Sequence, residues 1–255
     1  MHYSEIIYTP LDLPPCPEID VKKLREWIDR VYPQKQLLIM SEELHGHKRD
    51  AKTDWAQNFP WMLCFPKFYT WQENFENEFP EIVSYLETAF GFKDDELVAF
   101  GLLPVKHEDR DEFWHTDPDH LGLRFYIYNE KFQDNKLYFR PTLKITDPAK
   151  IHKLQFNSET TNLFEKTPIN AAIIGPRQPF YVNNFRAMHA MSNTIPAERI
   201  AVLIITKYDV AKFHKETPDK EFENRYNDLI VRSAYKYHKE AIFWNDGRRD
   251  INISS

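Results

Sequence analysis

From residue 97 onward, short apolar runs of strand length follow one another, at residues 97–103, 123–128, 137–145, 169–174, 180–183 and 199–206. They are rich in β-branched and aromatic residues. Turn chemistry separates several of them, as in Gly175-Pro176-Arg177-Gln178-Pro179 and Asn193-Thr194-Ile195-Pro196-Ala197. Short strands at such spacing predict an all-β sandwich or barrel. In the last run, Arg199 is followed by Ile-Ala-Val-Leu-Ile-Ile with no polar alternation, which predicts a strand buried on both faces. Helical spacing flanks this region. Val21, Leu24, Trp27, Ile28 and Val31 share one face behind Asp20, a candidate N-cap. Pro80 suits a first helical position, Ile82, Val83, Leu86 and Phe90 form a stripe, and Gly91 supplies a stop. After Asp209 the period is helical again, with Pro218 at a helix start and Phe222, Tyr226, Leu229, Ile230 and Tyr237 on one side. Residues 9–17 read as an irregular arm. Between 41 and 69 the aromatic residues Trp55, Phe59, Trp61, Phe65 and Phe68 lack periodicity and read as core. The chain therefore divides into a helical or irregular part at 1–95, a β core at 96–208 and a helical extension at 209–255. No repeat or linker separates these parts, so one domain over 1–255 is expected.

A chain of 255 residues can bury one sizeable core. Its formal net charge of -6 offers no general attraction for a phosphate backbone, which disfavours nucleic acid as a partner. Cys16 and Cys64 are the only cysteines, too few for a disulfide framework, and buried free thiols in a reducing cytoplasm are expected. Neither a secretory leader nor an apolar stretch of membrane-spanning length is visible, so the expectation is a soluble, cytoplasmic protein.

Candidate chemistry begins in Phe113-Trp114-His115-Thr116-Asp117, where an imidazole and a carboxylate two residues apart share one face of an extended chain. His107 and Asp109 have the same spacing, but they lie in a run of charges that reads as a solvated loop. His189, directly after a predicted strand, completes a set of two histidines and one carboxylate. Such a set leaves open positions on an ion and suits Fe(II) and oxygen chemistry. Ten residues further, Arg199 opens the most apolar strand in the chain. A buried guanidinium needs a partner, and a dicarboxylate can meet its planar fork with two parallel hydrogen bonds. A salt bridge to Glu198 or Asp209 is the competing account. Arg186 and Asn184 precede His189 and, with Trp114, are candidate substrate contacts.

His115-x-Asp117, the distant His189 and the following Arg199 together resemble the Fe(II)/2-oxoglutarate-dependent oxygenases over about residues 97–208. The resemblance implies a mainly β fold, a double-stranded β-helix (jelly-roll, cupin-like barrel) with flanking N- and C-terminal helices. It implies iron on His115, Asp117 and His189, and 2-oxoglutarate held by Arg199. Arg124, nine residues after His115, is similar to an arginine of the aspartyl/asparaginyl hydroxylase and cis-proline hydroxylase branch that approaches the co-substrate. Arg124, Tyr126 and Tyr128 alternate onto one strand face. Two features depart from that branch: Asp117 itself, and the long interval between the metal histidines. The resemblance implies a hydroxylase, since family halogenases carry a small residue where Asp117 stands. Its partners would be 2-oxoglutarate, O2 and a small-molecule or amino-acid-type substrate. A non-redox cupin-like isomerase or hydrolase, and a non-catalytic dicarboxylate-binding module, are the alternatives.

Overall fold

The computed structural model describes residues 1–31, 62–64, 75–93, 96–105, 122–128, 135–145, 167–184, 186–191, 199–213, 216–217, 219–244 and 249–251. Its elements are β1 (Ile6–Pro10), α1 (Val21–Val31), β2 (Met62–Cys64), α2 (Pro80–Ala89), β3 (Leu97–Val105), β4 (Leu123–Ile127), β5 (Lys136–Ile145), β6 (Asn170–Ile173), β7 (Phe180–Val182), β8 (Ala187–Met191), β9 (Arg199–Thr206), α3 (Lys207–Phe213), α4 (Lys220–Lys236), β10 (Ile242–Phe243) and β11 (Arg249–Ile251).

Two sheets account for the strands. The larger runs β10-β1-β7-β4-β9-β3-β2, and the smaller runs β11-β5-β6 with β8 also paired to β5. Neighbours are antiparallel throughout, except that β11 lies parallel to β5. Strand β9 sits near the middle of the large sheet, its Arg199 opposite Val105 of β3 and its Ile200 opposite Ile127 of β4. All eight of its residues are buried, as the unbroken apolar run predicts. The period of two divides them between two cores. Ile200, Val202 and Ile204 join Leu123, Phe125 and Ile127 in a cluster shared with the helices. Ala201 and Leu203 join Tyr126, Phe180, Leu137 and Phe139 in a second cluster between the sheets.

The helices cover the outer face of the large sheet. In α1, Asp20 Oδ1 accepts a hydrogen bond from the Lys23 amide at 3.0 Å, and Leu24, Trp27 and Ile28 are buried. Trp27 packs edge-on against Phe75, with ring centroids 4.9 Å apart. Helix α2 begins with Pro80, buries Ile82 and Leu86, and ends at Gly91, whose φ of +60° is the left-handed geometry that favours glycine. Helix α4 starts not at Pro218 but behind Asp219, whose carboxylate accepts from the Glu221 and Phe222 amides. Among the described residues no helix is long and apolar enough to cross a membrane.

Boundaries at residues 95 and 209 do not separate sheet from surroundings. Thr9 and Pro10, the first two residues of the expected irregular arm, instead complete the buried strand β1 begun by Ile6, Ile7 and Tyr8, because β7 and β10 offer ladders on either side. The C-terminal extension likewise contributes β10 and β11. Cys16 is buried, whereas the Cys64 side chain and Trp55, Phe59, Trp61, Phe65 and Phe68 lie outside what is described.

Candidate functional site

Strands β4 and β9 present polar groups to the space between the sheets. Arg124, Tyr126 and Tyr128 alternate with Leu123, Phe125 and Ile127, so the first three face the small sheet while the others face the helices. Arg199 has the parity of Ala201 and Leu203 and faces the same way. Its guanidinium carbon lies 4.7 Å from the centre of the Tyr126 ring. At a desolvated position such a cation–π contact is worth about 2 kcal/mol. Arg199 Nη1 also donates to the side-chain oxygen of Asn135, which immediately precedes β5. The Tyr128 hydroxyl donates to the Ile174 carbonyl at 2.5 Å, and the Ile174 amide donates to the Asn135 carbonyl at 2.8 Å. These bonds tie the residue after β4 to the residue after β6 and the residue before β5, beside the Arg199 head group.

Burial lowers the pKa of Arg199 from the ordinary guanidinium value. Tyr126 and Tyr128 counter the shift, and neighbouring Arg124 adds to it. Burial has thus taken water from a cation that stands near a second cation. Asp209, one of the two carboxylates that could have paired with Arg199, is bonded elsewhere. It accepts from the Thr206 amide at 2.8 Å and the Thr206 hydroxyl at 2.9 Å, at the opposite end of β9, roughly 20 Å of extended strand away. Glu198, the other carboxylate, lies outside the described residues.

Across the sandwich, β8 carries His189, fully buried and opposite Phe139 in the β5 ladder. Phe139 belongs to the core between the sheets, so its cross-strand partner points inward too. His189 Nδ1 lies 3.0 Å from the Ala187 carbonyl. A carbonyl can only accept, so Nδ1 holds the proton, and in the neutral ring Nε2 carries the lone pair. This is the tautomer of a metal-binding histidine oriented by its own backbone.

Of the other candidates, Asn184 is fully buried in the β7–β8 connection and Arg186 is half-buried there. His115, Asp117 and Trp114 lie outside the described residues, as do His107 and Asp109. The chain leaves the described structure after Val105, opposite Arg199, and returns at Gly122, against Asn184. Among the described residues no three His, Cys, Asp or Glu side chains cluster as metal ligands. Asn135 is a contact of Arg199 with no sequence signal beyond the turn-like run Asp134-Asn135-Lys136. Arg140 serves another purpose: its Nη1 donates to the Thr167 carbonyl at 2.9 Å and hydroxyl at 3.0 Å. A cavity of about 520 Å³ between α2 and α4 touches Leu123, Phe222 and Tyr226, which places it on the helix side of the large sheet and away from these groups.

No protein-family profile and no curated protein matches the chain. Solved structures give faint likenesses. A non-haem alpha-ketoglutarate-dependent carbocyclase, SnoK from nogalamycin biosynthesis, is 11% identical with a TM-score of 0.37, covering 85% of this chain and 89% of that one. The epimerase SnoN, in complex with Fe3+, alpha-ketoglutarate and nogalamycin RO, is 10% identical with a TM-score of 0.35, covering 80% of each chain. A non-haem monooxygenase, ThoJ with nickel, is 12% identical with a TM-score of 0.33, covering 94% and 95%. At such scores the functional reading has to come from the site's own residues.

Proposed function

We propose that the chain is a single-domain, non-haem Fe(II) and 2-oxoglutarate-dependent oxygenase, in which His189 with His115 and Asp117 hold the iron and Arg199 holds the co-substrate. The observation that carries this reading is the facing pair between the sheets: Arg199 over Tyr126 on one side, and His189 with a protonated Nδ1 on the other. Asn135, just before β5 and beside Arg199, and Phe139, on β5 and beside His189, are four residues apart, about 13 Å of extended chain. An arginine side chain and a five-carbon dicarboxylate together can bridge that span. The strand order supports a double-stranded β-helix. Strands β4 to β9 visit the sheets in the order large, small, small, large, small, large, and β9 lies between β3 and β4, as in a jelly roll.

Iron and 2-oxoglutarate, bound there, would supply oxidative decarboxylation of the co-substrate by O2, coupled to hydroxylation of an unactivated C–H bond in an amino acid, peptidyl residue or small metabolite. The residues have separate tasks. The Ala187 carbonyl fixes the tautomer and ring orientation of His189. The Arg199 fork takes the distal carboxylate, Tyr126 holds the fork flat, and Arg124 adds positive field on the same strand face. The aromatic and aliphatic core around them, from Tyr8 to Phe180, excludes water. Asp117, as an iron ligand, would favour hydroxylation over halogenation, since family halogenases carry a small residue there.

Anaerobic addition of Fe(II) and 2-oxoglutarate to the purified protein tests this directly. A weak visible charge-transfer band should appear, and succinate should form once oxygen is admitted. Absence of both sinks the oxygenase reading.

A further inference from the structure

Two consecutive asparagines follow β7, and they behave differently. Asn183 stitches the corner together: its amide donates to the Ile7 carbonyl at 2.8 Å, its carbonyl accepts from the Ala187 amide at 2.9 Å, and its Nδ2 donates to the Ser4 carbonyl at 3.4 Å. Asn184 needs only its backbone for the turn, donating to the Val182 carbonyl at 2.8 Å. Its side chain is completely buried, yet neither Oδ1 nor Nδ2 has a hydrogen-bond partner among the described residues. Buried polar atoms are satisfied in the great majority of cases, so an amide unmet at both ends calls for a cause.

That amide is packed against glycine backbone. Gly122, two residues ahead of Arg124, stands against it with a φ of +89°. A Cβ at this position would come within 3.0 Å of Asn184 Cγ and Nδ2 and within 2.0 Å of the Val182 carbonyl oxygen. Glycine is thus required where the head of β4 meets the β7–β8 connection, five residues before His189. Had the corner needed only filling, an apolar side chain would have served without two unmet polar atoms.

We propose that Asn184 is a recognition residue for a carboxamide or peptide-type amide carried by a small molecule that binds at the β7–β8 connection. Its Nδ2 donates to the ligand carbonyl, and its Oδ1 accepts from the ligand N–H, so both ends are met at once. A carboxylate satisfies only half of this, since it can accept from Nδ2 but brings negative charge against Oδ1. Only the identity of the ligand as the molecule oxidised rests on the oxygenase reading; the recognition itself does not. An amide-bearing amino acid or a peptidyl residue is then the substrate class.

Thermal unfolding tests the idea without iron or 2-oxoglutarate, so its failure is separable from failure of the oxygenase reading. Wild type, Asn184→Leu and Asn184→Asp are melted alone, with excess acetamide and with excess acetate. The leucine variant, freed of an unmet amide, should melt a few degrees above wild type. Acetamide should raise the wild-type Tm relative to both variants, and more than acetate does. The Asn184 side-chain NH2 resonance, assigned by its loss in the leucine variant, should move on acetamide addition. A leucine variant that melts at or below wild type would show the amide to be held by buried water or by the chain. That result overturns the proposal, as would an acetamide shift equal in all three proteins, a larger effect of acetate, or an unmoved resonance.

Discussion

Replacing Arg199 with methionine separates its two possible roles, ligand binding and support of the fold. The guanidinium stacks on Tyr126 and donates to Asn135, and burial disfavours its charge. Of the contacts described above, the substitution removes in the free protein a cation–π contact of about 2 kcal/mol and a hydrogen bond of about 1 kcal/mol. It also relieves the desolvation of a cation, a several-kcal/mol penalty that offsets those losses. Unfolding stability without ligand should therefore change by no more than about 1–2 kcal/mol, or about 2–8 °C for a chain of this size. Co-substrate binding should change far more. Two charge-assisted hydrogen bonds to a carboxylate, at about 1.5–3 kcal/mol each, predict a loss of about 10²- to 10⁴-fold in 2-oxoglutarate affinity. Anaerobic titration of the charge-transfer band measures that loss. Melting with excess 2-oxoglutarate gives an independent reading, because a ligand at a hundredfold its Kd adds about 2.7 kcal/mol to wild type and little to the variant. Arg199→Lys keeps the charge but not the fork, and should fall between the two. Wild-type affinity in the methionine variant, with a large loss of ligand-free stability, would make Arg199 a structural residue and refute the co-substrate assignment.

Other residues are open to equally direct tests. Asp117→Ala should abolish succinate formation while His107→Ala leaves it intact; the reverse pattern would show that the other His-x-Asp pair holds the metal. His189→Gln should lower Fe(II) affinity by at least 10-fold, read by equilibrium dialysis, with unchanged circular dichroism; retained iron would remove His189 from the metal site. Gly122→Ala forces a Cβ to 2.0 Å from the Val182 oxygen at a positive φ and should cost at least about 1–3 kcal/mol in urea unfolding, whereas a neutral result would mean the β4–β7 corner relaxes freely. Burial pushes the Cys16 thiol up from 9.0 to about 12. A folded-state pKa above the unfolded one gives stability that is intact below pH 9 and lost as pH rises toward 12, by up to about 1.4 kcal/mol per pH unit. Cys16→Ala should flatten that slope, and an unchanged slope would point to other groups.

The legible parts of the fold are those in which a single segment contains its own reason. Strand β9 could be read end to end because every residue from Ile200 to Ile205 is apolar, and α2 because Pro80 and Gly91 mark its ends. Strand β8 could not. Ala187-Met188-His189-Ala190-Met191 has no β-branched residue, and it is a strand because β5 supplies a ladder. Strand β1 ends in a proline and leads into turn-rich sequence, so its place between β7 and β10 is likewise a tertiary decision. The same contrast holds at the site. The inward face of Arg124, Tyr126 and Tyr128 follows from a period of two. That His189 faces inward follows from its pairing with Phe139, and that Asn135 meets Arg199 follows from the crossing of two sheets; neither is a property of a local window. The state of the Asn184 amide, unmet among the described residues, is equally invisible in sequence, because its setting depends on Gly122, far earlier in the chain.

The place of β1 in the large sheet also sets a schedule for biosynthesis. Tyr8 pairs with Val182 on one side and Ile242 on the other, so the first strand leaves the ribosome roughly 170 residues before either partner exists. At about 5–20 residues per second, that is a wait of about 10–30 s. Throughout that interval Ile6, Ile7 and Tyr8 remain a bare apolar segment. The large sheet can close only after residues 242–243 of β10 have been made, which leaves this short strand waiting, and open to a chaperone, for longer than strands whose partners lie close in sequence.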